Sequence, residues 1–434
     1  MFLVLRNKRS YTERFLKLIC DFRMLMFDKS SSAVTYEEVI AMKRILVVLP
    51  KIPYPRTSGY SIKNLELMRI LGKRYKITAA IVADSEPTNE AIAELKQYCQ
   101  EVIVFRNKKI RVFGNILLAL FNGQPFEVAY CYSSELRHYI ELNGQTFDAG
   151  IFVVSRTAQY SVYFAGPKIL DMGDFYGIRF SQIAENTRSL ILKMIYTIES
   201  RRMLRFEKSI VGTADLSFLF NKFEAEELGK FGRVIHIPHG VNPKLFDYTE
   251  LDARFSNVVS FIGKMDYGPN IEAALWFAQN VLPKLHKDIV FYVIGANPVR
   301  KIANLEKREP RIKVFGFVED PYNVLRSSCC TVAPMQTAVG IQNKVLESMA
   351  LGSIVVLTRK AAKTIGGIDG EHFLIADTPE QMADIINDVY LNPEKYEKLR
   401  MNAREFIKNK FTWEEFEKIY IRELENILNS RKSG

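Results

Sequence analysis

Cysteine is scarce in this 434-residue chain, with 5 in all (Cys20, Cys99, Cys131, Cys329 and Cys330), and none is spaced C-x-x-C. A disulfide framework and a zinc ribbon are therefore not expected, which fits a reducing compartment. Histidine is as rare, again 5 residues: His138, His236, His239, His286 and His372. His236 and His239 read as a strand and its end, not as one helical face, so no metal site is expected. No uninterrupted apolar run approaches the ~18 residues a bilayer-crossing helix needs. A Walker loop and a G-x-G-x-x-G fingerprint are also absent, so any nucleotide is held in another way. Charge, by contrast, is plentiful, and Lys+Arg 60 against Asp+Glu 49 leave a formal net charge of +11. That surplus attracts phosphate-bearing partners without choosing among them. With no helix-turn-helix, finger or RNA-binding signature beside it, nucleic acid is not expected as a partner.

What is present is a globular composition, 48% hydrophobic and 25% charged, in a chain longer than one core usually supports. The first 41 residues alternate bulky apolar side chains with Arg6, Lys8, Arg9, Arg14, Lys17 and Arg23. Those charges break up a signal-peptide core. The stretch is either an interfacial basic helix or lies upstream of the true start at Met42, and the second reading is preferred. From Arg44 the pattern alternates. Short apolar strands are expected at 44–50, 77–83, 101–105, 149–154 and 216–220, with helices at 61–71, 90–99 and 222–228. The alternation restarts after VIHIPHGVN, with strands at 258–262, 290–294, 313–317, 331–334 and 354–357 and helices at 269–285, 342–351 and 379–390. Two successive α/β units with parallel sheets follow. The expected division is an extension at 1–41, a first domain at 42–238, a second at 239–410, and a closing helix at 411–434 that crosses back.

In open parallel sheets ligands sit beyond the carboxyl ends of the strands, so the loops there matter most. The Pro53–Gly59 loop, with Ser58 and Gly59 before a helix, is either a tight turn or a place of close ligand approach. The stretch APMQTAVGIQNKVLESM is the strongest signal. Gly340 permits close approach, Ile341, Gln342 and Asn343 lead into the helix, and Lys344 suits a diphosphate. Glu347 falls three residues further on the same face, where a carboxylate can accept from two ribose hydroxyls. The plainer alternative is an amphipathic helix with a Lys344–Glu347 salt bridge. Gly263 and Lys264 follow one strand and Gly295 another, as a phosphate loop and a base pocket would. Asp171 and Asp174, in ILDMGDF after an apolar strand, either contact sugar hydroxyls or cap a helix.

Taken in order and spacing, ILVVLPKIPYPRTSGY, IPHGVN, FIGKMDYGPN, VIGANP, GFVED and GIQNKVLESMALGSIVV resemble the retaining glycosyltransferases of family 4. The last resembles a subgroup of sugar transferases in exopolysaccharide assembly. The resemblance runs from Met42 to Trp413. It implies the GT-B fold, two Rossmann-like doubly wound domains facing a central cleft. It also implies sugar transfer with retention from a nucleoside-diphosphate-sugar to a saccharide or lipid-linked acceptor, without a metal or other cofactor. Glu347 matches the second glutamate of the family's paired signature, while Val339 stands where the first belongs. Lys264 matches the first cation of the loop after the first strand of the second domain. Pro269 takes the place of the second, a role Lys344 would assume. Ser58-Gly59 stands for the usual Gly-Gly, and His239 for the hinge Asn. The resemblance thus makes Lys264 and Lys344 the groups that stabilise the leaving diphosphate. The competing readings are a binding protein that has lost catalysis and a nucleotide-sugar epimerase of the same fold.

Two stretches mix basic and apolar residues. One is Arg188 to Lys208 with Lys193, Arg201, Arg202 and Arg205, and the other holds Arg106, Lys108, Lys109, Arg111 and the apolar run to Phe121. They are expected to dock a cytoplasmic protein on the anionic inner face of a membrane. The alternative is helices that face a core.

Overall fold

The computed structural model describes residues 42–430 apart from 57, 188, 338 and 339. The N-terminal extension, Arg188 and Val339 therefore lie outside the described residues, as do the last four positions. Two parallel sheets organise the chain. The first has the order β3-β2-β1-β4-β5-β6-β7. Its strands are β1 Arg44–Leu49, β2 Lys76–Ala83, β3 Glu101–Arg106, β4 Ala149–Val153, β5 Lys168–Gly173, β6 Leu216–Leu219 and β7 Val234–His236. The second has the order β10-β9-β8-β11-β12-β13. Its strands are β8 Val258–Ile262, β9 Val290–Ile294, β10 Ile312–Phe315, β11 Cys330–Ala333, β12 Val355–Leu357 and β13 Leu374–Ile375. This is the doubly wound α/β pair that the sequence predicts. Helices cover both faces of such sheets, so the strands are continuous apolar runs; Ile45 to Leu49 are wholly buried.

In each sheet the winding reverses once, between β1 and β4 and between β8 and β11. Loops leaving the carboxyl ends of such strand pairs diverge and open a crevice. The Pro53–Gly59 loop occupies that place in the first sheet. The Gly263 loop and the segment after β11 occupy it in the second.

The chain passes between the sheets twice. The first passage follows β7, the second precedes the helix Trp413–Ser430, and Val241 N–H donates to the Phe411 carbonyl at 2.9 Å where they run side by side. Trp413, Phe416, Tyr420, Leu424, Ile427 and Leu428 of that helix are buried in the core of the first sheet with Leu65, Ile81 and Phe218. Each contributes on the order of 1.5–3 kcal/mol. A β-carbon on Gly240 would fall 2.4 Å from the Trp413 ring, so only glycine lets the two passages touch.

Between β3 and β4 lie the helices Lys109–Asn122, Phe126–Tyr130 and Ser134–Asn143. The first buries only Ala119. Helix Leu190–Val211 runs beside it, and its Arg202 donates to the carbonyls of Ala119 at 3.0 Å and Leu120 at 3.3 Å. Those carbonyls end the neighbouring helix and have no acceptor role within it. Arg202 is thus committed to the fold and not free for a membrane.

Candidate active site

The wall contributed by the second sheet is built around two glycines set back to back. Gly295 has φ +152°, and a β-carbon on it would lie 1.8 Å from the Gly263 carbonyl oxygen. Met265 N–H donates to Ala296 O at 2.9 Å, which ties the loops after β8 and β9 together. Beside them stands the helix Asn343–Leu351, with Gln342 buried at its N-cap position. Lys344, in its first turn, donates from Nζ to Asn270 Oδ1 at 2.5 Å and lies 5.2 Å over the Phe261 ring. Asn270 Nδ2 in turn donates to the Lys264 carbonyl at 3.0 Å. One asparagine therefore joins the two lysines that the sequence proposes for the diphosphate. The Lys264 ammonium itself is exposed, 3.4 Å from Asp266 Oδ2.

Lys344 spends its ammonium on Asn270 and not on Glu347, so the ordinary i,i+3 salt bridge is not what this helix face holds. Burial lowers Lys344 to about 7 and raises Glu347 to about 7. Both are poised near neutrality, as groups in ligand sites often are.

The opposite wall comes from the first sheet. Ser58 caps the helix Gly59–Gly72, its hydroxyl accepting from Ser61 N–H at 3.2 Å. Gly59 faces the second domain, and a β-carbon there would meet Asn343 Nδ2 at 2.7 Å. Gly340 reaches the other way. Its φ is +64°, and a β-carbon would lie 2.0 Å from Asp174 Oδ1. Gly340 N–H donates to Glu224 Oε1 at 3.4 Å, and Glu224 Oε2 accepts from Phe175 N–H at 2.9 Å. Burial, then the neighbouring Asp174, pushes Glu224 up to about 8, and burial raises Asp174. Asp174 thus packs close against the loop of the opposite domain, and Glu224 is the group that hydrogen-bonds it. The helix cap that is the other reading of Asp174 is supplied by Glu207, which accepts from Tyr176 N–H at 3.0 Å and Gly177 N–H at 2.8 Å.

Asp171 does not follow a strand as expected but lies within β5, buried and ion-paired with Lys63. Tyr420 of the last helix adds a hydrogen bond to the same oxygen at 3.4 Å. With its charge already matched, Asp171 is a structural partner of Lys63 before it is a sugar contact. His239 is likewise enclosed, its ring 5.2 Å from both Phe220 and Trp413. Burial lowers it to about 4, so the imidazole is neutral near pH 7.

Gly59, Lys63, Asp174, His239, Ile341 and Asn343 surround a cavity of about 190 Å³ at the meeting of the two sheets. Asn343 Oδ1 is buried there with no hydrogen-bond partner among the described residues. An unpaired buried acceptor is costly and invites a donor such as a ligand hydroxyl. Among the described residues no His, Cys, Asp and Glu side chains gather as a metal site.

The sequence reading passes over Lys63, which lines this cavity, and over Glu224, Asn270 and Arg179, which contact the loops around it. Lys63 carries a legible signal, since it shares a helical face with the buried Leu67 and Ile70 at i+4 and i+7. Glu224 and Arg179 carry none, since folding alone brings them to the loops.

Residues 256–392 match the family model described as Glycosyl transferases group 1. The second domain carries a glycosyl transferase group 1 region. Over 386 residues the chain is 22% identical to an uncharacterized 44.6 kDa protein in the cps region of Klebsiella pneumoniae, covering 85% of this chain and 97% of that one. Among solved structures, HepE of Anabaena in complex with UDP and glucose is similar at TM-score 0.63 and 14% identity, over 88% of this chain and 100% of that one. Sucrose-phosphate synthase from Thermosynechococcus elongatus is similar at TM-score 0.65 and 16% identity, over 89% and 100%. At these identities the likeness establishes the fold, which is GT-B. The glycosyl transferase region holds Gly263, Lys264, Gly295, Lys344 and Glu347, the whole of the second wall.

Proposed function

We propose that the protein is a glycosyltransferase that takes a nucleoside-diphosphate-sugar on the second wall and an acceptor on the first, in cell-surface polysaccharide biosynthesis. The observation that carries this reading is the Lys344–Asn270–Lys264 chain beside the paired glycines, with Glu347 one turn further along the same helix. HepE, a structural neighbour, was crystallised with UDP-glucose, which supports a donor of that class. The cps-region relative supports the polysaccharide setting. Lys344 and Lys264 would stabilise charge on the departing diphosphate, the preorganised role that carries much of such catalysis. Glu347 would hold the ribose, and Asn343 would accept from a sugar hydroxyl. Retention follows from the family resemblance, as does a saccharide or lipid-linked acceptor. Contact of Gly340 with Asp174 and of Gly59 with Asn343 would keep water from the reacting sugar.

We place the enzyme in the cytoplasm, docked on the inner face of a membrane. No helix among the described residues is long and apolar enough to cross one. The basic stretches contribute less than their sequence suggests, because Arg202 caps a helix, Arg106 pairs with Glu86 and Arg111 with Glu135. The apolar residues contribute more, with Phe113, Leu118, Phe121, Leu190, Ile191 and Met194 all exposed. A thermal-shift screen against a nucleotide-sugar panel tests the enzymatic reading. A true donor at 100 times its Kd stabilises the protein by about 2.7 kcal/mol, and a flat response across the panel would overturn it.

A further inference from the structure

The second wall meets the charge of a diphosphate only in part. Lys264 stands 3.4 Å from Asp266 Oδ2, which already balances some of its charge. Lys344 is lowered to about 7 by burial, so near neutrality about half of it carries no charge.

Two cations of the first domain lack a carboxylate of their own. Arg179, on the helix Tyr176–Asn186, lies 5.4 Å from the Tyr176 ring and 5.7 Å from the ring of Tyr267. Tyr267 belongs to the second domain. Its N–H donates to the Lys264 carbonyl at 3.4 Å, and its carbonyl accepts from Asn270 N–H at 3.0 Å. Arg179 therefore reaches across the crevice to the turn that carries Lys264 and Asn270. Its Nε is buried with no hydrogen-bond partner, and it forms no ion pair among the described residues. The carboxyls that act on it from nearby are Asp174 and Glu127. Burial pushes Asp174 toward its neutral form, and Glu127 is ion-paired with Arg156 at 2.6 Å. A guanidinium withdrawn from water without a counter-charge is unfavourable until an anion joins it.

The second cation is Lys51, in the loop after β1. It packs 4.6 Å over the Tyr60 ring and has no ion pair among the described residues. Partial burial, then Arg156 and Lys264, push its ammonium down. Lys51 and Lys264 belong to opposite walls, so like charges meet across the crevice. They repel unless an anion lies between them.

We propose that Arg179 is a further catalytic residue, which with Lys51 grips the donor diphosphate from the first domain while Lys264 and Lys344 hold it from the second. The proposal rests on the transfer reading. In transfer the bond between the anomeric carbon and the phosphate oxygen breaks, and its electron pair stays on the diphosphate. The acceptor oxygen bonds to that carbon, and the acceptor proton passes to the departing phosphate. Negative charge thus grows on the group that Arg179 touches as the bond stretches. Its planar fork can meet two phosphate oxygens at once. The full set of cations exists only where the two walls meet, which ties the chemical step to their contact.

The test compares wild type with Arg179→Gln, Arg179→Lys and Lys51→Gln by titration calorimetry and initial rates. The probes are pyrophosphate and the nucleoside diphosphate and monophosphate of the donor that the panel selects. Wild type should bind the diphosphate more tightly than the monophosphate. Arg179→Gln should shrink that preference by about tenfold and weaken pyrophosphate in step. It should leave the monophosphate within about twofold, and lower kcat by about tenfold or more while KM changes less. Arg179→Lys should keep part of each. Added guanidinium ion should return part of the rate to Arg179→Ala and none to wild type. Lys51→Gln, at a solvent-exposed position, should shrink the preference by about two- to fivefold. That arm does not depend on how the arginine variants fold. An unchanged preference in both Arg179→Gln and Lys51→Gln would overturn the proposal. So would an equal loss of monophosphate and diphosphate affinity in Arg179→Gln, which would make the arginine a support of the fold. A rate in Arg179→Gln within about twofold of wild type would deny it a catalytic part. If no member of the panel binds, the transfer reading fails. Pyrophosphate weakened by Arg179→Gln would then keep the arginine as a diphosphate contact, and pyrophosphate bound equally by both proteins would remove it.

Discussion

Lys344 and Glu347 titrate in the same range and should respond to a donor in opposite directions. In the free protein burial sets both at about 7. A diphosphate beside Lys344 favours its charged form, so binding raises that pKa. The lysine's contribution is then complete below about pH 7 and falls by up to about tenfold per pH unit above it. Ribose hydroxyls donating to Glu347 favour the carboxylate, so binding lowers that pKa. Its contribution is complete above about pH 7 and is lost as the pH falls. Affinity should therefore peak near neutrality, and net proton exchange should change sign there, with release on the acid side and uptake on the alkaline side. At about pH 8 roughly 0.9 of Lys344 is neutral before binding, so uptake approaches 0.9 proton per complex. Calorimetry in buffers of different ionisation enthalpy measures this directly. Lys344→Met should abolish the uptake and, at about pH 6, weaken binding by about 1.5–3 kcal/mol, on the order of 10- to 150-fold. Glu347→Gln should abolish the release. Differences from wild type cancel the titration of the ligand's own phosphate. A flat affinity profile between about pH 6 and pH 9, or unchanged uptake in Lys344→Met, would refute the assignment of both residues.

Gly340→Ala places a residue at φ +64° with its β-carbon against Asp174. The backbone alone costs about 1–2 kcal/mol, turnover should fall, and adding Asp174→Ala should restore part of it; wild-type turnover in the single variant would show that the contact is not needed. Asp171→Ala strands the buried Lys63 ammonium and should cost about 3–5 kcal/mol in urea unfolding, most of which Lys63→Met in the same chain should return. In vesicle sedimentation the protein should bind anionic more than neutral lipid, and salt should release only part of it, since exposed apolar residues outnumber unpaired cations on the two helices; complete release by salt would restore charge as the main force.

The strands were legible because buried parallel strands are unbroken apolar runs between turn residues, as RILVVLP and VVSFI are. The loops of the second wall were legible for a related reason, since glycine after a strand marks backbone that must come close to something. Gly263 and Gly295 meet each other, and Gly340 meets Asp174. What the sequence hides is which distant side chain arrives at such a loop. Asn270 looks like one more residue of a helix start, yet it connects Lys264 to Lys344. Glu224 sits in the acidic run EAEEL, which reads as a solvated face, and only the fold brings Phe175 N–H and Gly340 N–H to it. The apolar periodicity of the helix Lys109–Asn122 suits a core and a docking surface alike, and only the fold shows Phe113, Leu118 and Phe121 exposed.

The return of the last helix to the first sheet also sets the order in which the protein can finish folding. β7 ends at His236, and Leu428 leaves the ribosome about 190 residues later. At the usual ~5–20 residues per second, that interval is on the order of 10–40 seconds. Throughout it, the apolar surface around Phe218 and Leu65 has no Trp413, Phe416 or Tyr420 to cover it. The second domain is whole before the first, although the first is made earlier. A nascent chain stalled before Trp413 should therefore carry a folded second domain tethered to an unfinished, chaperone-dependent first one.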